Sequence, residues 1–412
     1  MLRQVVIAGA GQAAAQAVET LRRRGFDGTI VLVGGEPHEP YQRPPLSKAF
    51  LAGDLERERL PIRPSQFYVD HGVELCLGHR IAALDRARHR VQLDDGGTVP
   101  YEALLLATGG YPRKLPVPGA ELDGVYTLRT LEDAQRIREE LRPGLRLVVV
   151  GGGYIGLEVA ATARKLGLDV TVLEMTERLM SRVVSAPVSA FYAHEHGRQG
   201  VQVRCRTRVR ALAPLAPGSR RVARVLCDDG SVFAADLVLI AVGLVAADEL
   251  AATAGLECSN GIVVDERCRT ADEQIFAAGD CTHHPSLRYG RRVRLESVDN
   301  AFEQGTSAAL NLLGVPTVHD RVPWFWSDQF DLKLVIVGLS EPHDVTVLRG
   351  APESRSFSVC YLRGGELAAI DTVNRAKDQM AARKLIAGRS RIDPRRLADP
   401  DIPLRECLSA AG

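Results

Sequence analysis

The sequence predicts an α/β protein made of two Rossmann-like dinucleotide-binding domains followed by a C-terminal α+β domain. Three observations predict it. Two glycine-rich turns, Gly9-Ala10-Gly11-Gln12-Ala13-Ala14 and Gly151-Gly152-Gly153-Tyr154-Ile155-Gly156, each follow a short apolar run, Val5-Val6-Ile7-Ala8 and Leu147-Val148-Val149-Val150. Each unit continues to a second apolar run ending near an acid: Thr29 to Val33 before Glu36, and Val170 to Leu173 before Glu174. From about Pro323 the pattern changes to strand-like runs and a basic helix. Glycine turns between a strand and a helix are common singly. Two complete strand–turn–helix–strand–acid units specify two dinucleotides, each with its pyrophosphate at a helix N-terminus.

Taken in order, the first βαβ unit runs into a proline-rich loop, Pro37 to Pro45, and a helix-like stretch from Leu46 to Leu51. Val73 to Leu77 and His89 to Leu93 read as strands, and Asp94-Asp95-Gly96-Gly97 as the hairpin turn before Thr98-Val99. Leu104 to Ala107 is a short buried strand stopping at Thr108-Gly109-Gly110, and Tyr111 to Pro118 is a linker. The second unit repeats the plan, with a hairpin turn at Asp228-Asp229-Gly230 and a closing strand, Leu237 to Ala241, before Val242-Gly243. Ile275 to Ala278 ends in Gly279-Asp280, has no glycine turn of its own, and returns to complete the first domain. Leu332 to Gly338 and Ser356 to Leu362, with a turn at Gly364-Gly365, precede a helix from about Ala376 to Ile386. The expected division is 1–112 with 245–322, then 113–244, then 323–412.

Composition excludes several function classes. The formal charge of +1 on 412 residues calls for no nucleic acid. The longest apolar stretch, Leu237 to Ala247, is about half the ~20 residues of a membrane helix. The first strand begins within a few residues of the N-terminus, so no targeting segment is expected and a cytoplasmic protein is. The eight cysteines form no CxxC pair, and His283-His284 lack a third ligand at metal spacing, so no metal site is expected.

Further segments are specific. Pro40-Tyr41-Gln42-Arg43-Pro44-Pro45-Leu46-Ser47-Lys48, Ala107-Thr108-Gly109, Gly151 to Glu158, Ala278-Gly279-Asp280-Cys281, Glu296-Ser297-Val298-Asp299-Asn300-Ala301 and Pro323-Trp324-Phe325-Trp326-Ser327-Asp328-Gln329 span nearly the whole chain. On these segments the chain resembles the FAD-dependent NADH:ferredoxin reductases of the glutathione-reductase-like superfamily, which feed haem monooxygenases and ring-hydroxylating dioxygenases. The resemblance implies a glutathione-reductase type of fold, FAD and NADH as cofactors, and a 2Fe-2S ferredoxin as partner.

The resemblance places the FAD on the N-terminal turn (Gly9, Gly11, Ala13, Ala14), with Glu36 on the adenosine ribose and Asp280, after Gly279, on the ribityl chain. It adds Arg43, Ile81, Thr108, Gly109, Arg129, Glu296, Val298 and Trp326 as cofactor neighbours. Ile81 and Val298 could equally be core residues, and Asp280 a helix N-cap. Lys48 is expected beside the flavin, where a cation stabilises the charge left by an arriving hydride; alone it reads as a solvated helix residue.

The second turn (Gly151, Gly153, Ile155, Gly156), with Gly243, is expected to hold the exchangeable dinucleotide, and Arg182 either reaches it or is a solvated helix arginine. Glu174 would accept its ribose hydroxyls and repel a 2′-phosphate, which favours NADH over NADPH. Tyr154 is expected either to cover the flavin, as the resemblance implies, or simply to pack at the helix start, and Glu158 to bind the nicotinamide amide. Hydride transfer itself needs positioning rather than a protein acid or base.

Pro44 to Leu51 holds no cysteine, so the thiol relay of related branches cannot be built there. Electrons are expected to leave singly to a ferredoxin, past Trp326 and Trp324, with Arg375, Lys377, Arg383 and Lys384 as a docking helix or simply a solvated face. Two other readings stay open: reduction of a small acceptor or rubredoxin, and an apoptosis-inducing-factor-like interaction protein.

Overall fold

A computed structural model describes residues 2–409. By internal packing the chain forms two compact units. One comprises residues up to Gln42, Glu58–Tyr111 and Leu244–Arg321; the other comprises Arg43–Arg57, Pro112–Gly243 and the chain from Val322 onward.

The first unit is built on a five-stranded parallel sheet in the order Ile275–Ala277, Ala103–Leu106, Gln4–Ala8, Thr29–Gly34, Val73–Leu77. Its central strands are apolar at consecutive positions because both faces are covered. Val5 and Ile7 pack with the helices Gln12–Arg23 and Val298–Leu312, while Val6 and Ala8 pack with Val91, Leu93 and Leu256 on the other side. Ile275–Ala277 returns to the sheet edge beside Ala103–Leu106, which makes this unit discontinuous in sequence. The sequence reading missed Ile81–Asp85, which pairs with Arg90–Leu93 to make a three-stranded sheet. It is short, half exposed and irregular between Ile81 and Ala83, so it carries little alternation.

The second unit repeats the plan with a parallel sheet ordered Gln202–Arg204, Asp169–Leu173, Arg146–Val150, Leu237–Ile240, Val125–Tyr126. The helix Tyr154–Lys165 follows its glycine turn. An antiparallel sheet of Trp324–Gln329, Leu332–Gly338, Glu366–Val373, Phe357–Arg363 and Val345–Arg349 belongs to the same unit, with the helix Ala376–Ala387 on one face. Its other face puts Leu332, Leu334, Phe357, Val359 and Tyr361 into one apolar core with Val149, Leu157 and Val172. Each such buried side chain contributes roughly 1.5–3 kcal/mol. That shared core is why the last strands and Arg43–Arg57, through Leu51, pack with the second unit.

The helix expected over Leu46 to Leu51 is corrected to two short pieces. A 3-10 turn, Pro44–Ser47, and one α-turn, Ala49–Ala52, meet at Lys48, whose backbone (φ −126°, ψ −110°) is not helical. Two adjacent prolines remove backbone donors. The Ser47 carbonyl accepts from Thr162 Oγ1 at 2.9 Å, and the Lys48 side chain turns to Glu158. Tertiary bonds thus take the place of a continuous helical ladder.

Candidate functional site

The first glycine turn lies at the carboxyl end of Gln4–Ala8. Gly9 sits at φ +114°, and a Cβ there would meet the Ala107 carbonyl oxygen at 2.1 Å, so only glycine fits. A Cβ on Gly11, by contrast, would meet no described atom within 4 Å. The helix Gln12–Arg23 therefore opens with bare backbone donors onto free space, which suits a pyrophosphate. Ala13 and Ala14 are buried on the helix face that packs on Val298–Leu312; a Cβ on Gly305 of that helix would meet the Ala13 carbonyl oxygen at 2.5 Å. Glu36 accepts from the Tyr41 hydroxyl.

The neighbouring strand ends are tied down by side chains. Thr108 Oγ1 donates to the Ala247 carbonyl at 2.6 Å, and the Ala247 amide donates to the Gly109 carbonyl at 3.0 Å. Gln304 Oε1 collects three donors: the Gly279 amide at 2.8 Å, Thr282 Oγ1 at 2.8 Å and Asn300 Nδ2 at 3.2 Å. Its Nε2 is buried with no hydrogen-bond partner among the described residues. Glu296 pairs with Arg294 at 2.6 Å, and Val298 opens a helix whose N-cap, Ser297, accepts the Asn300 amide at 3.1 Å. Ile81 is half buried against the core under the hairpin.

In the second unit Gly151 repeats Gly9: φ is +112°, and a Cβ would lie 2.3 Å from the Ala241 carbonyl oxygen. Gly153, like Gly11, faces no described atom within 4 Å. Glu174 closes this cradle. Its Oε2 accepts the Gly152 amide at 2.7 Å, while its Oε1 accepts the Thr176 amide and hydroxyl, both at 2.8 Å. A carboxylate offers about four acceptor positions, so one remains on Oε2 for a ribose hydroxyl. Arg178 donates to the Val184 and Ser181 carbonyls, at 2.7 and 2.8 Å. Arg182 lies beside Gly243, and Ile155 is exposed on the first turn of the helix.

Glu158, one turn along the helix and 2% exposed, is the centre of a polar cluster. Its Oε2 accepts Lys48 Nζ at 2.7 Å and Ser47 Oγ at 2.5 Å; its Oε1 accepts Ser327 Oγ at 2.8 Å. Gln329 Nε2 donates to Ser327 Oγ at 3.1 Å, and His196 Nε2 lies 2.9 Å from Gln329 Oε1. Arg43 donates to the Arg129 carbonyl at 2.7 Å, beside the Thr130–Asp133 capping box that starts the helix Leu131–Glu140.

The aromatic residues divide between the two faces of the strand Trp324–Gln329. Phe325, Ser327 and Gln329 share one face, where the Phe325 ring lies 4.4 Å from that of Tyr154. Burial raises the Tyr154 hydroxyl pKa well above its usual value. Trp324 and Trp326 stack at 5.3 Å on the opposite face, against the core beneath Ala376–Ala387, and Arg383 lies 5.4 Å over the Trp324 ring. Arg375 pairs with Asp378 at 2.7 Å, so two of the four basic residues singled out on that helix are engaged within the unit.

Lys48, Glu158 and Tyr154 are thus gathered in the second unit, with Trp326 on the far face of the strand that completes their cluster. Ser47, Ser327, Gln329, His196 and Gln304 were missed. One signal was available: polar residues at alternate positions, Ser327 and Gln329, in a strand otherwise rich in aromatics. Among the described residues no group of three His, Cys, Asp or Glu side chains could hold a metal, and no helix is long and apolar enough to cross a membrane.

Comparison with known proteins agrees with this architecture. Residues 3–305 match the family described as pyridine nucleotide-disulphide oxidoreductase, and residues 324–408 match the reductase C-terminal family. The chain is 45% identical to rhodocoxin reductase of Rhodococcus erythropolis over 405 residues, covering 98% of this chain and 94% of that protein. It is 44% identical to putidaredoxin reductase CamA of Pseudomonas putida over 410 residues, covering 99% and 97%. The crystal structure of the covalent putidaredoxin reductase–putidaredoxin complex superposes with a TM-score of 0.96 at 43% identity, covering 98% of each chain.

Proposed function

Because the chain belongs to the pyridine nucleotide-disulphide oxidoreductase family, in its ferredoxin reductase branch, we propose that it is an NADH:ferredoxin oxidoreductase. It takes hydride from NADH onto FAD and passes single electrons to a 2Fe-2S ferredoxin serving a haem monooxygenase or ring-hydroxylating dioxygenase. The observation that carries this reading is the repeated cradle, Gly9 with Gly11 and Gly151 with Gly153. In each, a Cβ is forbidden at the first glycine and free space lies over the second.

We assign FAD to 1–112 with 245–322, NADH to 113–244, and ferredoxin docking to 323–412. The flavin, when bound, accepts a hydride as an electron pair and releases the electrons singly. The chain's own residues bind and orient. Backbone amides opening the helices Gln12–Arg23 and Tyr154–Lys165 hold the pyrophosphates. Asp280, beside the Gly279 loop that Gln304 fixes, takes the ribityl hydroxyls. Glu174 takes the NADH ribose through its remaining acceptor position and its charge rejects a 2′-phosphate. Lys48 supplies positive charge at the flavin, held by the buried Glu158 carboxylate. The eight free cysteines support placement in the reducing cytoplasm.

The reading is tested by NADH-dependent cytochrome c reduction, with and without an added 2Fe-2S ferredoxin. Activity that requires the ferredoxin supports it. Equal activity without ferredoxin, or with NADPH replacing NADH at no cost, overturns the acceptor or the donor respectively.

A further inference from the structure

We propose that Ser327, Gln329 and His196 form a buried hydrogen-bond relay that positions the Glu158 carboxylate, and through it the charge of Lys48, for hydride transfer. The inference rests on the reading of Lys48 and Glu158 given above and adds three positioning residues to it. Glu158 lies on the helix Tyr154–Lys165, Ser327 and Gln329 on the strand Trp324–Gln329, and His196 on the helix Ala186–Arg198. Ser327, Gln329 and His196 are each 0% exposed, so the chain of bonds is shut off from bulk solvent.

The direction of every bond follows from the chemistry of its ends. Glu158 Oε1 only accepts, so the Ser327 hydroxyl proton, 2.8 Å away, points to it. Ser327 Oγ must then accept from Gln329, which sets the Gln329 amide with Nε2 toward Ser327 at 3.1 Å. The opposite amide orientation would place the carbonyl against Ser327 Oγ, leaving one hydroxyl proton for two acceptors. With Nε2 so placed, Gln329 Oε1 faces His196 Nε2 at 2.9 Å and requires a proton there. Burial lowers the His196 pKa, which keeps the ring neutral; the proton is therefore on Nε2 and Nδ1 is bare. His196 Nδ1 is buried with no partner among the described residues.

All three bonds point the same way, so each polarises the next toward Glu158. On its other oxygen Glu158 meets Ser47 and Lys48. The carboxylate is therefore held from both sides, and the C-terminal strand, remote in sequence from both glycine turns, sets its orientation.

A relay in series makes a specific prediction, read in the FAD-loaded protein. Gln329→Met, which touches neither Glu158 nor Lys48, should slow flavin bleaching at saturating NADH by about 3–10-fold, the scale of one hydrogen bond between neutral groups. The half-saturating NADH concentration should stay unchanged, and the flavin midpoint potential should shift to a more negative value. Ser327→Ala should do the same and more, Ser327→Thr should restore both readouts, and Ser327→Ala with Gln329→Met should be no worse than Ser327→Ala alone. Additive losses in the double variant, or a wild-type rate and potential in Gln329→Met, would overturn the relay while Glu158→Gln remained slow. A silent Glu158→Gln would instead overturn the underlying reading of the site, and the relay with it. Independently of any substitution, ¹⁵N spectra of the unaltered protein should show His196 neutral with its proton on Nε2; a proton on Nδ1 would contradict the assignment.

Discussion

Glu174 accepts the amide of Gly152 at 2.7 Å, so the acid that ends one strand fixes the glycine turn that follows its neighbour. The same carboxylate keeps one acceptor position open, and Arg178 donates to two loop carbonyls. Glu174→Ala should raise the KM for NADH about tenfold, the scale of lost hydrogen bonds to a charged group, and narrow the gap between NADH and NADPH. Steady-state KM values for both nucleotides check it. An unchanged ratio would mean that Glu174 serves only the turn.

Lys48 is 20% exposed along its side chain and ion-paired with Glu158 at 2.7 Å. Lys48→Ala should slow NADH-driven flavin bleaching tenfold or more, on the order of 1.4 kcal/mol of barrier, with Lys48→Arg recovering part of the rate. Single-turnover absorbance at saturating NADH reads it directly. A wild-type rate in Lys48→Ala would return the residue to a packing role.

His284 and His319 stand edge to face, with ring centroids 5.0 Å apart, and His319 Nε2 lies 3.2 Å from Asn300 Oδ1. Burial pushes their pKa values down from 6.5 to about 3 and about 4. His283, Arg292 and Arg321 add repulsion, while Asp320 opposes it for His319. With folded pKa values below unfolded ones, the stability these groups carry is whole above pH 6.5 and is lost as pH falls toward 4. Each proton taken up on unfolding costs on the order of 1.4 kcal/mol per pH unit across that window. His319→Gln keeps a donor for Asn300 and should flatten the fall of Tm between about pH 6.5 and 4, measured by circular dichroism. A profile parallel to wild type would show that the acid sensitivity arises elsewhere.

Arg349, 1% exposed, gathers Asp378 at 3.0 Å and the carbonyls of Leu397 at 3.1 Å, Asp399, Pro400 at 3.3 Å and Ile402 at 2.5 Å. Asp378 would keep Arg375 and Ser358 if Arg349 were removed, so the loss would fall on the carbonyls. Arg349→Met should cost about 3 kcal/mol in urea unfolding and open the chain near Leu397 to proteolysis. A loss within about 0.5 kcal/mol, ordinary for a surface change, would contradict the clamp.

What could be read from the sequence depended on range. The glycine turns, their strands and Glu174 beside the second turn were legible because each unit is local, and its geometry is dictated by a positive φ at Gly9 and Gly151. The break at Lys48 was not, because Glu158 and Thr162, which draw Lys48 and Ser47 out of a continuous helix, lie on a distant segment. Trp326 was legible as notable, but its strand face was not; alternation puts it with Trp324 and leaves Ser327 to meet Glu158. Sequence spacing gives His284 no third metal ligand, and its neighbour His319 is visible only in the fold.

In the proposed reaction hydride enters from NADH and electrons leave singly to an iron–sulfur protein. Anaerobic stopped-flow of the FAD-loaded protein, mixed first with NADH and then with an oxidised 2Fe-2S ferredoxin from the same organism, tests it most directly. NADH should bleach the flavin, and ferredoxin reduction should follow with return of the flavin absorbance. Flavin that bleaches but passes no electrons to any ferredoxin would contradict it.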